Sequence, residues 1–255
     1  MILAIDVGNT NIVIGCIEKG EICNIVRITT LAGETEAEYA IKLKQVLEFY
    51  GVQPRGFEGA IISSVVPPVT EAVSRAVHGI TGLRPMIVGP GMKTGLNLRV
   101  DDPGTVAGDL IVGSVAAMSC YGAPVIVLDM GTATTMVVID KNNCYIGGAI
   151  IPGVNLSYAA LASGTSLLPT ISIEAPKKAI ATDTVNSMRS GAVYGTAAMI
   201  DGMIERMEAE LGYACKVVAT GGIARAIVPH CKREIVLDND LLLKGLWTLY
   251  EKNKK

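Results

Sequence analysis

The chain has 255 residues, half of them hydrophobic and 18% charged, which supplies enough apolar material for about two domain-sized cores and excludes a disordered chain. A net charge of −2 leaves no basic footprint for nucleic acid or an acidic membrane, and two Phe, one Trp and eight Tyr offer few rings for bases to stack on. The apolar start Met1–Ile5 stops at Asp6 and has no basic lead-in, and no apolar run approaches bilayer length, so a cytoplasmic protein is expected, binding neither membrane nor nucleic acid.

In chain order, residues 2–7 read as a buried strand, Gly8-Asn9-Thr10-Asn11 as a turn, and Ile12 to Cys16 and Ile22 to Ile28 as two more strands around the polar turn Glu18-Lys19-Gly20-Glu21. Glu36 to Tyr50 changes to helical period, with Ala40, Leu43, Leu47 and Tyr50 on one stripe and Gly51 as a C-terminal cap. Gly59 to Val66 is a strand stopped by Pro67-Pro68, followed by a helix over about 69–79, a strand over about 84–88 and a helix over about 105–120. The pattern then restarts. Strands are predicted at Ala123–Leu128, Thr134–Ile139 and Cys144–Ile150, then a helix from Pro152-Gly153 to about Ala162. A long helix covers 185–211, with Met188, Ala192, Gly195 and Met199 on its stripe. Strand Lys216–Ala219, a short helix Gly222–Ile227, strand Glu234–Leu237 and a helix over 239–252 close the chain.

One plan is thus used twice, and both copies open with the same phrase at the end of an apolar strand: Asp6-Val7-Gly8-Asn9-Thr10 and Asp129-Met130-Gly131-Thr132-Ala133-Thr134. A repeat of domain size indicates duplicated domains rather than a solenoid, here 1–115 and 116–255. Six cysteines, at Cys16, Cys23, Cys120, Cys144, Cys215 and Cys231, form no Cys-x-x-Cys pair and read as reduced, mostly buried thiols. The two histidines, His78 and His230, leave a Ser-His-Asp machine or a His-rich zinc site almost nothing to draw on, and each reads as a surface or helix-end residue rather than a ligand.

The chemistry lies in the bends. Gly8 lets the backbone turn tightly, successive amides form an anion-binding concavity, and Asn9, Thr10 and Asn11 add side-chain donors. Asp6 at the strand end is placed to hold Mg²⁺ or its waters beside phosphates. The second copy offers Asp129 with Gly131, Thr132, Thr134 and Thr135, and two such turns across a cleft would grip a polyphosphate from both sides. The small residues of Thr220-Gly221-Gly222, between a strand and a helix, could let an adenine or ribose lie on the backbone; taken alone, they read better as a plain tight strand-to-helix turn. Transfer of a phosphoryl group to an alcohol needs a carboxylate to take the hydroxyl proton, and Asp109, ahead of the apolar helix Leu110–Met118, is the candidate, with a dipole-stabilised first-turn residue as the bland alternative. Gly89-Pro90-Gly91-Met92-Lys93-Thr94 is not a P-loop, and no Gly-x-Gly-x-x-Gly follows the first strand.

The ordered set of Asp6-Val7-Gly8-Asn9-Thr10, Ser63-Ser64-Val65-Val66-Pro67, Asp129-x-Gly131-Thr132-Ala133-Thr134-Thr135, Gly147-Gly148-x-Ile150-x-Pro152-Gly153, Leu168-Pro169, Thr184 with Ser190-Gly191, and Thr220-Gly221-Gly222 resembles type III pantothenate kinases, within the acetate kinase/sugar kinase/Hsp70/actin superfamily, over nearly the whole chain. The resemblance implies an α/β fold of duplicated ribonuclease H-like domains with mixed sheets flanked by helices. It implies ATP between the halves, phosphorylation of the primary hydroxyl of pantothenate as the first step toward coenzyme A, Mg²⁺, a monovalent cation (K⁺ or NH₄⁺), and a homodimer. By position it makes Asp6, Val7, Gly8, Asn9, Thr10, Asn11, Ile12 and Val13 the first phosphate loop, Asp109 the base, Asp129 the monovalent-cation ligand, Thr132 an ATP contact and Thr184 a pantothenate contact. The chain departs from the family at the acceptor side. Where the family reads Gly-Ala-Asp-Arg, this chain has Ala107-Gly108-Asp109-Leu110, and Val100 stands where a tyrosine is usual. Losing the arginine removes a bidentate grip on a carboxylate or phosphate. Two rival expectations follow: a kinase with another hydroxyl acceptor, and a nucleotide-binding paralogue acting as a regulator.

Overall fold

The computed structural model describes residues 1–254, which divide into two units, neither continuous in sequence. Unit 1 holds Met1–Gly95, Asp101–Ser119 and the segment from Asp240 onward; unit 2 holds Leu96–Val100 and Cys120–Asn239.

Unit 1 is built on β1 (Ile2–Val7), buried at every position, as a strand covered on both faces must be. It pairs antiparallel with β2 (Asn11–Glu18) and parallel with β4 (Gly59–Ser64). With β3 (Glu21–Thr29) and the two-residue β5 (Met86–Ile87) the sheet order is β3-β2-β1-β4-β5. The β2–β3 hairpin closes on Lys19-Gly20, both at positive φ, in the sense that matches strand twist. Helix α1 (Glu36–Phe49) starts on a capping box in which Thr35 and Glu38 satisfy each other's amides, and α2 (Pro67–Thr81) starts on the two prolines expected only to end the strand. Tyr39, Leu43 and Leu47 of α1 and Val69, Val73 and Val77 of α2 enter one core with Ile5, Val7, Ile12 and Ile14. Tyr50, expected on the buried stripe, is exposed, because the helix ends at Phe49 and the left-handed Gly51 turns the chain away. Helix α3 (Gly108–Tyr121) buries Ile111 through Ala117.

Unit 2 repeats the plan. β7 (Val125–Met130), β8 (Ala133–Ile139) and β9 (Cys144–Pro152) form an antiparallel meander, and β10 (Lys216–Thr220) and β11 (Val236–Leu237) extend it in parallel from β7. The order β11-β10-β7-β8-β9-β6 matches unit 1 strand for strand, with one addition, β6 (Asn97–Leu98), which pairs parallel with β9. Helix α4 (Val154–Ser163) follows β9, and α7 (Ala224–Ile227) follows β10. The predicted helix over 185–211 is α5 (Thr184–Ser190), a π-helical segment Gly191–Gly195 and α6 (Thr196–Leu211). The wider turn moves the buried face: Met188 and Ala192 are followed by Ala197, Ile200 and Ile204, five residues on instead of four, so Gly195 is exposed and Met199 only partly buried.

A single cut near residue 115 is not how these units divide. Helix α8 (Leu241–Asn253) packs on β1 and β4 of unit 1, and 96–100 joins the sheet of unit 2 through β6. Both assignments rest on long-range packing that local periodicity does not carry. The six cysteines are thiols rather than disulfides; Cys16, Cys144 and Cys215 are buried, whereas Cys23 and Cys120 are exposed. Among the described residues no helix is long and apolar enough to cross a membrane.

Candidate active site

Asp6 is the penultimate residue of β1 and is 7% exposed, in register with Val13 on β2 and Ser63 on β4. The chain then turns through Gly8, Asn9 and Thr10. The Gly8 N–H donates to the Asn11 carbonyl at 3.0 Å, so that amide is used inside the bend and is withdrawn from the anion-binding set expected for it. Thr30, which sequence reasoning passed over, braces the bend from the end of β3: its hydroxyl donates to the Gly8 carbonyl at 2.7 Å and its N–H to the Thr10 carbonyl at 3.0 Å. Asn9, Thr10 and Asn11 are left as the exposed rim, while Val7 and Ile12 are fully buried and can meet a ligand only through their backbones.

Asp109 lies in the first turn of α3, where the helix dipole favours a negative charge. Its Oδ1 accepts from the N–H of Leu110 at 2.7 Å. Burial pushes its carboxyl above the ordinary carboxylate range, and the amides of Leu110 and of Asp109 itself oppose that rise. A raised carboxylate at a helix start is the state a proton acceptor for an alcohol needs. Gly108 lies against the end of β4, the strand that neighbours Asp6: a Cβ there would lie 3.6 Å from the Ser63 hydroxyl and 3.7 Å from Val88. Unit 1 therefore brings Asp6, its bend, Ser63 and the Ala107–Leu110 segment to the carboxyl ends of neighbouring parallel strands, where open α/β sheets hold their ligands.

Unit 2 carries the second bend. Asp129 is partly buried, in register with Thr135 on β8 and Thr220 on β10. The Gly131 N–H donates to the Ala133 carbonyl at 2.9 Å, repeating the closure of the first bend, and Thr132 is exposed at its tip. Strand alternation sets Thr135 on the face of Asp129 and sends Thr134 to the other, where it is 1% exposed. Gly153 backs the bend: its N–H donates to the Thr132 carbonyl at 3.1 Å, and a Cβ there would lie 2.5 Å from the Gly131 carbonyl oxygen. Gly221 and Gly222 follow β10 beside this bend but differ in why they are small. Gly221 has φ +97°, and a Cβ on it would lie 2.6 Å from the main chain of Met130; at Gly222 a Cβ would meet nothing within 4 Å.

The residues expected on the acceptor side fall in both units. Ala107, Gly108, Asp109 and Leu110 belong to unit 1, and Val100 and Thr184 to unit 2. Thr184, the first residue of α5, lines a cavity of about 610 Å³ with Tyr158, Leu161, Leu168 and Met188. Asp183 caps that helix by accepting from the N–H of Asn186 at 2.9 Å. Tyr158 carried no sequence signal, and burial raises its hydroxyl's pKa. Arg99, the neighbouring guanidinium that could stand in for the missing arginine, lies close enough to act on Asp140. Burial raises that carboxyl, but the amides of Cys144 and Asn142, the Asn142 side chain and then the charge of Arg99 bring it below the ordinary range.

Among the described residues no three His, Cys, Asp or Glu side chains gather to cage a metal ion. One carboxylate beside each bend fits an ion that arrives with a nucleotide, since Mg²⁺ keeps most of its waters and takes one or two carboxylates plus phosphate oxygens.

A doubled sheet of this order, each copy with an acidic-glycine bend after its first strand, defines the class as duplicated ribonuclease H-like α/β proteins. A solved structure of the same fold, (R)-2-hydroxyglutaryl-CoA dehydratase component A from Acidaminococcus fermentans, superposes with a TM-score of 0.58 at 16% identity, over 97% of this chain and 96% of its own. The profile of the type III pantothenate kinase family matches residues 2–206, and the chain belongs to that family. A relative from Halalkalibacterium halodurans named type III pantothenate kinase is 43% identical over 253 residues, 99% of this chain and 100% of its own length. One of the same name from Bacillus cytotoxicus is 41% identical, again over 99% of this chain and 97% of its own.

Proposed function

We propose that this chain transfers the γ-phosphoryl group of ATP to the primary hydroxyl of pantothenate, giving 4′-phosphopantothenate and ADP at the entry to coenzyme A synthesis. The observation that carries the reading is Asp109, a half-buried carboxylate at the start of α3 beside the Asp6 strand end, in a chain that matches the kinase family from end to end. Asp109 takes the hydroxyl proton while the alcohol oxygen bonds to the γ-phosphorus and the bond from that phosphorus to the β,γ-bridging oxygen breaks. The bend Asp6–Val13 takes phosphate oxygens on Asn9, Thr10 and Asn11; Thr132, in unit 2, is read as an ATP contact, and of Gly221-Gly222 it is Gly222 that leaves room for the ribose or adenine. Asp6 would hold the waters of Mg²⁺ and Asp129 a monovalent cation, K⁺ or NH₄⁺. Bound there, the cations neutralise charge on the phosphates.

The acceptor side lacks a fixed cation at Leu110 and a phenol at Val100, and this supports a second reading in which another, less anionic alcohol is phosphorylated. A homodimer completes the first proposal. The stripe of α6 is already partnered, since Met199 and Met203 pack on the core of unit 2. The exposed apolar side chains that a second copy would cover are elsewhere in that unit: Ile150 on β9 (76% exposed), Leu156 on α4 (52%), and Leu167 (90%) and Ile180 (87%) between α4 and α5.

Purified protein with ATP, Mg²⁺, K⁺ or NH₄⁺ and pantothenate is expected to form phosphopantothenate, and Asp109→Asn to remove that product. Product from another alcohol but none from pantothenate would replace the first reading by the second. ATP binding without turnover on any alcohol would leave the regulator.

A further inference from the structure

The two serines that end β4 differ in one respect. Ser64 is satisfied: its Oγ accepts from the N–H of Val66 at 3.1 Å and from the Thr70 hydroxyl at 2.7 Å. Ser63 is 0% exposed, and its hydroxyl has no hydrogen-bond partner among the described residues. Buried hydroxyls without partners are rare enough to need a reason. The position is not arbitrary. Ser63 is in register with Asp6 as Thr220 is with Asp129, so each unit sets a hydroxyl residue beside its bend aspartate. On its other side Ser63 faces the start of α3, where Gly108 has no Cβ to cover it; the alanine of the family pattern would put a methyl 3.6 Å from the hydroxyl.

We propose that Ser63 is a positioning residue for Asp109, its hydroxyl donating to the carboxylate once that side chain turns from the Leu110 amide toward the acceptor alcohol. The proposal rests on the reading of Asp109 as the base. Asp6 is the less suitable target, because Asp6 and Ser63 are fixed on neighbouring strands in register and Ser63 is still unbonded. Asp109 is held by its own helix's next amide, a local bond that a rotamer change releases. The Ser63 donor then fixes the carboxylate in the orientation that meets the incoming hydroxyl, and ground-state satisfaction of the serine is given up for it.

The test is Ser63→Ala, compared with Ser63→Thr, which keeps the hydroxyl and copies Thr220 in the equivalent strand. Ser63→Ala is expected to lower kcat for pantothenate phosphorylation by about ten- to a hundred-fold. The KM for ATP stays where it was, and Tm is unchanged or raised, because the mutation removes an unsatisfied buried group. Ser63→Thr restores most of kcat; if it does not fold, Ser63→Cys takes its place as the weaker donor. Followed with labelled ATP, Ser63→Ala has no further effect in an Asp109→Asn background but keeps its full effect in Asp6→Asn. A kcat within two-fold of wild type in Ser63→Ala, beside an inactive Asp109→Asn, overturns the proposal and leaves the base reading standing. Coupling to Asp6 instead of Asp109, or loss of kcat in step with loss of Tm, also overturns it. An Asp109→Asn variant that turns over normally removes the base reading and the proposal together.

Discussion

Gly221 and Gly222 are adjacent, and the structure separates what each contributes. Changing Gly221 to alanine forces a Cβ onto a residue at φ +97°, within 2.6 Å of the N, C and O atoms of Met130. A left-handed conformation costs a non-glycine residue about 1–2 kcal/mol. Overlap with main chain cannot be relieved by a rotamer change, and overpacking of this kind adds about 1–3 kcal/mol. The sum, about 2–5 kcal/mol, corresponds to a fall of roughly 5–20 °C in Tm for a chain of this size. Gly222→Ala has neither penalty, since among the described residues nothing lies within 4 Å of the new methyl. Its stability should stay within about 0.5 kcal/mol of wild type. If a nucleotide lies against that backbone, however, the methyl occupies ligand space and ATP affinity drops by about 10- to 100-fold, the equivalent of 1–3 kcal/mol of steric overlap. Thermal melts and titration calorimetry with ATP on the two variants read the two effects separately. An unchanged Tm in Gly221→Ala would refute the account of the turn, and unchanged ATP affinity in Gly222→Ala would refute its use by the nucleotide.

Asp109→Asn should lower kcat by about 10²–10⁴-fold, the range for a lost general base. It should also stabilise the protein at neutral pH. Because burial raises this carboxyl's pKa in the folded state, the native protein binds more protons than the unfolded chain between the ordinary carboxylate range and the raised value. Stability from this group is therefore lost as pH rises through that window, and a comparison of Tm against pH should show the slope in wild type and not in the variant. Thr30→Val keeps side-chain shape but removes the 2.7 Å bond to the Gly8 carbonyl. A loss of about 1 kcal/mol in a urea titration and a raised KM for ATP are expected, with kcat changed less. A charge on the exposed apolar surface of unit 2, such as Leu156→Glu, should convert a dimer to a monomer by light scattering without lowering Tm; a wild type that is monomeric at micromolar concentration would remove the dimer proposal.

Much of the fold was legible locally. The strands of β1, β2, β7 and β8 are short apolar runs punctuated by Gly8 and Gly131, and burial on both faces leaves little else for such runs to do. The duplication was legible as well, because both copies need the same Asp-x-Gly bend at the same point. What periodicity could not show was which elements are distant partners. Leu96–Val100 and α8 each join the unit they pack on, and two-residue strands such as β6 have too little pattern of their own. The π-helical segment at Gly191–Gly195 is another case: one extra residue in a turn rotates the buried face, and no spacing rule announces it.

The candidate site divides along the same line. The sequence by itself determined the kinds of group present: two bend aspartates, a third carboxylate ahead of an apolar helix, glycines where the backbone must turn, and Leu110 where the family pattern has an arginine. Those are local facts, since a glycine or a carboxylate declares its chemistry wherever the chain goes. Only the tertiary structure decided which glycine amides are already bonded, that Thr30 and Gly153 brace the bends, that Gly221 is small for the fold's sake and Gly222 is not, and that Ser63 is sealed beside Asp6 and Gly108 with no hydrogen-bond partner among the described residues. Each of these is a statement about what one atom meets across tens of residues of intervening chain, and burial and hydrogen bonding acquire values only when the strands are laid side by side.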